Sequence, residues 1–348
     1  MTRDRSIPRL RVLQSFREPR TTTNPYLVQL RDALAPHADV ATFRWSRALA
    51  GRYDVLHVHW PEVVVDRGTR VRRWGATALF ALVVLRASTG GRVLVRTVHN
   101  VAPHERPHRA TAAVTRWCDR RTGWRVRLND RTPVPDPARA STVPHGDYTA
   151  WFATYPRATA VRGRLATVGL VRPYKGVEDL VAAVRATPAD AGLDLVVAGR
   201  AATPAVADGV RAAAGDDPRV RLDLRHVDDE QLVAEVTSAE LVVLPYRAMH
   251  NSGAALLALS LGRPVLVPDG DVVADLAAEV GPAWVRRFTP PLTADVLLRE
   301  VAALRADAPT GEPDLRARRW DAVAKGHVRA YEAALAAARG AARGGGRP

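Results

Sequence analysis

Val168-Gly169-Leu170-Val171-Arg172-Pro173-Tyr174-Lys175-Gly176-Val177-Glu178 joins the end of a strand-like apolar run to the start of a helix-like one, with two cations inside a glycine-bounded turn. A strand that ends on glycine and hands over to a helix start is how an open α/β sheet holds an anion. The glycine lets the backbone turn closely, the helix start offers free N–H groups and a positive dipole end, and the cations neutralise charge. Composition sharpens the point. The chain has 51 Lys+Arg, of which only Lys175 and Lys325 are lysine. A lysine kept inside this turn suggests a need for a compact ammonium rather than a planar guanidinium, and the ligand expected is a diphosphate.

Working outward, the second half reads as repeated strand–helix units: Leu165–Leu170, Val177–Ala186, Leu193–Gly199, Ala205–Ala214, Val220–Leu224, Asp229–Val236, Leu241–Tyr246, Ala254–Leu261, Pro264–Pro268 and Ala283–Arg287. The first half shows the same plan in Leu10–Phe16, Tyr26–Leu34, Asp54–Trp60, Val71–Ala87, Val93–His99, Ala110–Arg121 and Trp124–Leu128. Such alternation predicts an α/β protein with two doubly wound, Rossmann-like domains, as 348 residues also favour. The expected division is residues 1–150, residues 151–313, a terminal helical segment 314–339 packing back toward the first domain, and a disordered Gly/Arg-rich tail 340–348. A break in periodicity near 146–160 reads as the linker.

The formal charge of +15 is uneven: residues 1–150 hold 26 Lys+Arg against 12 Asp+Glu, so nearly all the excess lies there. A basic surface of this strength suits an anionic membrane leaflet, a phosphorylated lipid or a nucleic acid. The apolar run Gly75–Leu85, flanked by Arg70, Arg72, Arg73, Trp74 and Arg86, is too short to span a bilayer; it suits a helix buried against a sheet or one lying on a membrane surface. Cys118 is the only cysteine, which excludes an intramolecular disulfide, and the N-terminus lacks a signal peptide's order of charge, apolar run and cleavage site. A cytoplasmic protein, peripheral on the inner face of the membrane, is expected.

Ligands of open parallel sheets bind beyond the carboxyl ends of the strands. In the first half those ends carry Asn24 and Tyr26, then His57-Val58-His59-Trp60-Pro61-Glu62, then Thr97-Val98-His99-Asn100 with His104 and Glu105. Imidazole titrates near neutral pH, so His99 suits a general base or a group that polarises a sugar or phosphate. His57 and His59 share a strand face, but no Cys or Asp completes a ligand set, and no metal site is expected. In the second half Leu244-Pro245-Tyr246 leads to Asn251-Ser252-Gly253 at a helix start, a second place where free N–H groups favour phosphate.

These segments together resemble the GT-B glycosyltransferases, particularly the family-4-like group that uses nucleotide diphosphate sugars. The likeness runs from Arg11 to about Tyr331 and rests on Asp54–Glu62, Thr97–Glu105, the Gly169…Lys175-Gly176 turn, and Leu244-Pro245-Tyr246…Ser252-Gly253…Ala258…Gly262-Arg263-Pro264-Val265. It implies two domains facing a cleft. The second would bind a nucleotide sugar such as a GDP- or UDP-sugar through Gly169, Arg172, Lys175, Tyr246, Asn251, Ser252 and Gly253. The first would bind a glycolipid or polysaccharide-precursor acceptor through Asn24, Tyr26, His59, Trp60 and His104, with His99, Glu62, Glu105 and Asp147 as candidate bases. Two departures stand out. Many relatives have arginine where this chain has Leu170, a role Arg172 would take, and two glutamates near the positions of Met249 and Leu257 are missing.

Two other function classes lack their signatures. A nucleic-acid-binding protein would show a helix-turn-helix, zinc or aromatic RNA-binding pattern, and a dinucleotide oxidoreductase would show Gly-x-Gly-x-x-Gly after a strand. A metal-independent hexosyltransferase with a nucleotide-sugar co-substrate is the expectation.

Overall fold

The computed structural model of the chain describes residues 9–66, 69–99, 108–247 and 249–344. Two compact units share it. One comprises Met1–Gly146 with Ala317–Pro348, the other Asp147–Arg316.

The first unit runs β1 (Arg11–Gln14), α1 (Pro25–Leu34), β2 (Asp39–Ala41), α2 (Trp45–Ala50), β3 (Val55–Val58), α3 (Pro61–Val65), α4 (Arg70–Ala87), β4 (Val93–Val98), α5 (Arg109–Arg121), β5 (Trp124–Arg127) and β6 (Ala140–Thr142). Its strands form one parallel sheet in the order β2-β1-β3-β4-β5-β6. Strand side chains alternate between faces, and both faces are covered. Val12, Val55, Val93 and Val95 pack on one side with Leu30, Leu34 and Tyr331. Leu13, Leu56 and Leu94 pack on the other with Phe80, Val83, Val114 and Cys118. The direction of winding reverses between β1 and β3, where Gln14 pairs with His57. That reversal opens a crevice at the strand ends.

The second unit runs α6 (Thr149–Phe152), β7 (Arg164–Val168), α7 (Val177–Arg185), β8 (Asp194–Ala198), α8 (Pro204–Ala214), β9 (Val220–Asp223), α9 (Asp229–Ser238), β10 (Leu241–Val243), α10 (Gly253–Ser260), β11 (Val265–Pro268), α11 (Asp271–Val280), β12 (Val285–Phe288) and α12 (Ala294–Ala306). Its parallel sheet has the order β12-β11-β10-β7-β8-β9, with the reversal between β7 and β10. Tyr148 and Phe152, within the stretch read as a linker, are buried in this unit's core.

The chain then returns to the first unit as α13 (Trp320–Gly344), which packs against α1, β4 and β5. Val323, Ala330, Tyr331 and Ala334 form its buried stripe, at the three- and four-residue spacing of one helix face. The helix extends past residue 340, where the composition suggested disorder, because Ala336, Ala337, Ala338 and Ala341 are strong helix formers that outweigh a single Gly340.

Candidate active site

In the first unit the polar strand ends share one face. Gln14 has the parity of Val12, His57 and His59 that of Val55, and Thr97 and His99 that of Val95, so all five lie on the side covered by α1 and α13. The result is a buried hydrogen-bonded cluster. His57 Nδ1 meets the Tyr331 hydroxyl at 2.8 Å and its Nε2 meets Thr97 Oγ1 at 2.7 Å. His59 Nε2 meets Gln14 Oε1 at 2.9 Å and its Nδ1 meets His99 Nε2 at 3.1 Å. The His59 amide donates to Ser15 Oγ at 3.1 Å.

Rings enclose these imidazoles. Trp60 stacks on His99 with centroids 4.0 Å apart and planes 20° from parallel, and Tyr26 meets His99 edge-on at 5.2 Å. Burial drives His57, His59 and His99 well below the usual histidine range, and the neighbouring imidazoles push the same way. His145 and His327 are pushed down to about 4 by burial. The cluster is therefore neutral at pH 7.

Beside it lies a pocket of about 360 Å³ lined by Ser15, Thr23, Asn24, His59, Trp60 and neighbours. Asn24 is exposed and caps α1, its Oδ1 accepting from the Tyr26 N–H at 3.0 Å. The pocket thus brings together Asn24, His59 and Trp60 of the residues expected to meet an acceptor. Tyr26 is different: at 1% exposure it backs the imidazoles between His145 and Trp320 and offers no surface to a ligand.

Two of the candidate bases have other surroundings. Glu62, in the first turn of α3, lies in the field of Arg96 and Cys118, which belong to the opposite face of the sheet. Asp147 is buried at the start of the second unit, and its carboxylate accepts the Thr149 N–H at 3.0 Å, a local turn contact. His104 and Glu105 lie outside the described residues.

In the second unit, Gly169 ends β7 with φ +93°, and Gly199 at the end of β8 crosses it so closely that a Cβ at Gly199 would stand 2.2 Å from the Gly169 carbonyl oxygen. Only glycine fits both places. The turn that follows is a 3₁₀ segment, Pro173–Lys175, closed by Gly176 at φ +62° against the Pro245 carbonyl before α7 begins. This fold-back sets Lys175 Nζ 5.1 Å from the Tyr246 ring centroid and within 3.6 Å of where a side chain on Gly169 would start. Tyr174 meets the Tyr246 ring edge-on.

Lys175 has no carboxylate partner among the described residues, and burial together with Arg172 lowers its pKa. Arg172 Nε is likewise buried with no hydrogen-bond partner. The neighbouring Arg247 is instead paired with Asp179 at 3.0 Å. Ser252 caps α10, accepting from the Ala255 N–H at 3.1 Å and also bonding the buried Tyr246 side chain, while Gly253 supplies the first turn without a side chain. Asn251 precedes them, half-buried. The arrangement is two uncompensated cations beside a glycine turn, with a helix start nearby, and it is chemically suited to a diphosphate.

Gln14 and Tyr331 belong to the cluster but carried no motif in the sequence, while Thr97 was read only as the start of the Thr97–Asn100 strand end, without a role of its own. The alternation that placed Val12 in a core strand would have found Gln14 on the histidine face. Nothing in the sequence announces which α13 residue reaches His57. Among the described residues no three His, Cys, Asp or Glu side chains are grouped to hold a metal ion.

Solved structures with the same architecture include Anabaena HepE in complex with UDP (TM-score 0.59, 14% identity, covering 96% of this chain and 99% of that one) and sucrose-phosphate synthase from Thermosynechococcus elongatus (TM-score 0.58, 15% identity, covering 96% and 98%). Two doubly wound units with this likeness define a protein of the GT-B glycosyltransferase fold. No protein-family model matches the chain. Over 336 residues it is 43% identical to the GDP-mannose:glycolipid 4-beta-D-mannosyltransferase of Xanthomonas campestris pv. campestris, covering 96% of this chain and 95% of that protein. The chain belongs to the family of these glycolipid mannosyltransferases and is a nucleotide-sugar-dependent glycosyltransferase.

Proposed function

We propose that the chain transfers mannose from GDP-mannose to a glycolipid, forming a β-linkage by a single displacement with inversion, and that it needs no metal ion. The observation that carries the reading is the pair Arg172 and Lys175, left without carboxylate partners at a glycine turn, in a chain 43% identical to proteins named for that reaction. The donor diphosphate would sit against these cations and the N–H groups at the start of α10. As the bond between the anomeric carbon and the diphosphate breaks, the electron pair goes to the diphosphate, and Lys175 and Arg172 stabilise it there as a metal ion otherwise would.

The acceptor would enter the pocket beside Asn24 and Trp60. Inversion from an α-linked donor to a β-linked product requires a base for the acceptor hydroxyl. We assign this role to His99, which is neutral at pH 7 and follows the carboxyl end of β4. A glycolipid acceptor also supports docking on the anionic inner face of a membrane. The helix α4 suits this, since Val71, Trp74, Leu82 and Leu85 form an exposed stripe beside Arg70, Arg72 and Arg86, while no helix among the described residues is long and apolar enough to cross a membrane.

A thermal-shift panel of nucleotide sugars tests the donor. GDP-mannose at a hundredfold over its Kd should add about 2.7 kcal/mol to stability, with UDP-sugars adding far less. Stabilisation by UDP-sugars alone would contradict the proposed donor.

A further inference from the structure

We propose that Arg17, Arg20 and Arg44 form a binding site for a diphosphate joined to a lipid, so that the acceptor is held by a charged linker as well as by its sugar. The inference deepens the reading of the pocket beside Asn24 and Trp60 as the acceptor site and rests on it. A second cavity, of about 370 Å³, adjoins that pocket, and the two share Arg17, Glu18, Arg20 and Phe43 as a common wall. Arg44 and Trp45 line its far side. Arg17 and Arg20 belong to the loop after β1, and Arg44 follows β2. All three therefore stand beyond the carboxyl ends of neighbouring parallel strands, where this kind of sheet takes its ligands.

The loops that carry these arginines are tied to each other. The Phe43 amide donates to the Phe16 carbonyl at 2.7 Å, the Thr42 hydroxyl donates to Glu18 Oε2 at 2.8 Å, and the Arg20 amide donates to Thr23 Oγ1 at 2.9 Å. Among the described residues Glu18 is the one carboxylate in the cavity wall, and Arg31 meets its other oxygen at 3.3 Å. No ion-pair or hydrogen-bond partner holds the guanidinium of Arg17, Arg20 or Arg44 among the described residues. Arg47, within α2, shows the contrast, since it donates to the Thr42 carbonyl at 3.4 Å. Three cations thus line one cavity whose carboxylate is already engaged.

The class of ligand follows from charge and shape. A sugar carboxylate is planar and is satisfied by a single guanidinium fork, whereas the tetrahedral groups of a diphosphate present oxygens in several directions and keep two negative charges when both ends are esterified. Phe43 and Trp45 meet edge-on with centroids 4.9 Å apart, and they give hydrocarbon a surface next to Arg44. A diphosphate with sugar on one side and lipid on the other fits that order, its sugar toward His59 and Trp60. Holding the linker fixes where the acceptor hydroxyl can stand.

Calorimetry on the full-length protein tests the site without relying on transfer. GDP is kept at saturation to fill the donor site while a short-chain alkyl diphosphate is titrated in. It should bind, and Arg17→Ala, Arg20→Ala and Arg44→Ala should each weaken it about tenfold. Arg116→Ala, which removes an exposed arginine of α5, should change it less than about twofold. Inorganic pyrophosphate, lacking the hydrocarbon, should bind about tenfold more weakly or worse. In transfer from GDP-mannose to two glycolipids matched in sugar and lipid, one joined by diphosphate and one by a neutral ether, the wild-type KM should be about tenfold lower for the first. The arginine variants should bring the two KM values together.

No binding of the alkyl diphosphate under saturating GDP overturns the proposal, as does an equal loss in Arg116→Ala and the three variants, which would mark a general field. Equal wild-type KM values for the two glycolipids overturn it too. Inorganic pyrophosphate bound as tightly as the alkyl diphosphate overturns the assignment to a lipid and leaves a site for the free anion. Alkyl diphosphate bound through these arginines, with neither glycolipid mannosylated, supports the site and contradicts the proposed transfer reaction instead.

Discussion

Lys175 and Arg247 show how little separates a structural cation from a functional one. They are neighbours at the same sheet edge, yet Arg247 is neutralised by Asp179 at 3.0 Å, whereas Lys175 lies over the Tyr246 ring with its pKa lowered by burial and by Arg172. A charged contact to diphosphate is worth about 1.5–3 kcal/mol, so Lys175→Ala should weaken GDP binding at least roughly tenfold by calorimetry, and Arg247→Ala much less. Equal losses would mean that general field, not placement, attracts the nucleotide. The buried histidines give a second expectation. His57, His59, His99, His145 and His327 are all held below their unfolded value, so the unfolded chain takes up protons that the native one refuses. Stability is then fully present above about pH 7.5 and falls below about pH 6.5, at up to about 1.4 kcal/mol per pH unit for each histidine until its native pKa is reached. Chemical denaturation at pH 8, 6 and 5 measures it; a midpoint constant to pH 5 would show that these groups are already charged in the native state. The glycine turn, Lys175 and the histidine-rich strand ends were legible in the sequence, because each chemistry-bearing residue sits at a strand end. Gln14 and Tyr331 were not, since a lone glutamine and a helix tyrosine gain their roles only when three distant segments meet.

Among the elements, α13 and α4 matter most. Tyr331 of α13 supplies the hydroxyl that satisfies His57 Nδ1. Tyr331→Phe leaves that nitrogen buried and without this hydroxyl, at a cost of about 1–3 kcal/mol in urea denaturation. No change in the midpoint would indicate that the cluster rearranges freely. The helix α4 buries Phe80, Val83, Val84 and Ala87 while leaving Trp74 56% exposed and Val71 82% exposed, so one face is the expected core helix and the other is the apolar face on which the proposed membrane docking rests. In the full-length protein, Trp74→Ser with Leu82→Ser and Leu85→Ser should abolish flotation with anionic vesicles at low salt. Undiminished flotation would assign the attraction to charge alone. Long periodic segments such as Val71–Ala87 were read from the sequence to within a residue. The short elements β2, α2, α3 and β6 were not, because three to six residues hold too little periodicity to register. Nor was α12, hidden behind Pro290–Pro291, which reads as a stop.

For the whole molecule, the return of the chain into the first unit has the largest consequence. Residues 317 onward complete that unit, and the buried stripe of α13 fills the sheet face that carries the histidines. Composition and periodicity foretold two doubly wound domains, since strand–helix alternation is a local signal. They placed the boundaries at 150 and 313, where the compact units divide after Gly146 and Arg316, because burial of Tyr148, Phe152 and Leu315 in the second core is a tertiary fact. Metal-independent, inverting mannosyl transfer to a glycolipid is decided by the anomeric configuration of the product, read by NMR after incubating full-length protein with GDP-mannose and a glycolipid acceptor in EDTA. A β-mannosyl glycolipid is expected, with one GDP released per linkage formed. An α-linked product, or transfer that appears only when magnesium or manganese is restored, would contradict the mechanism.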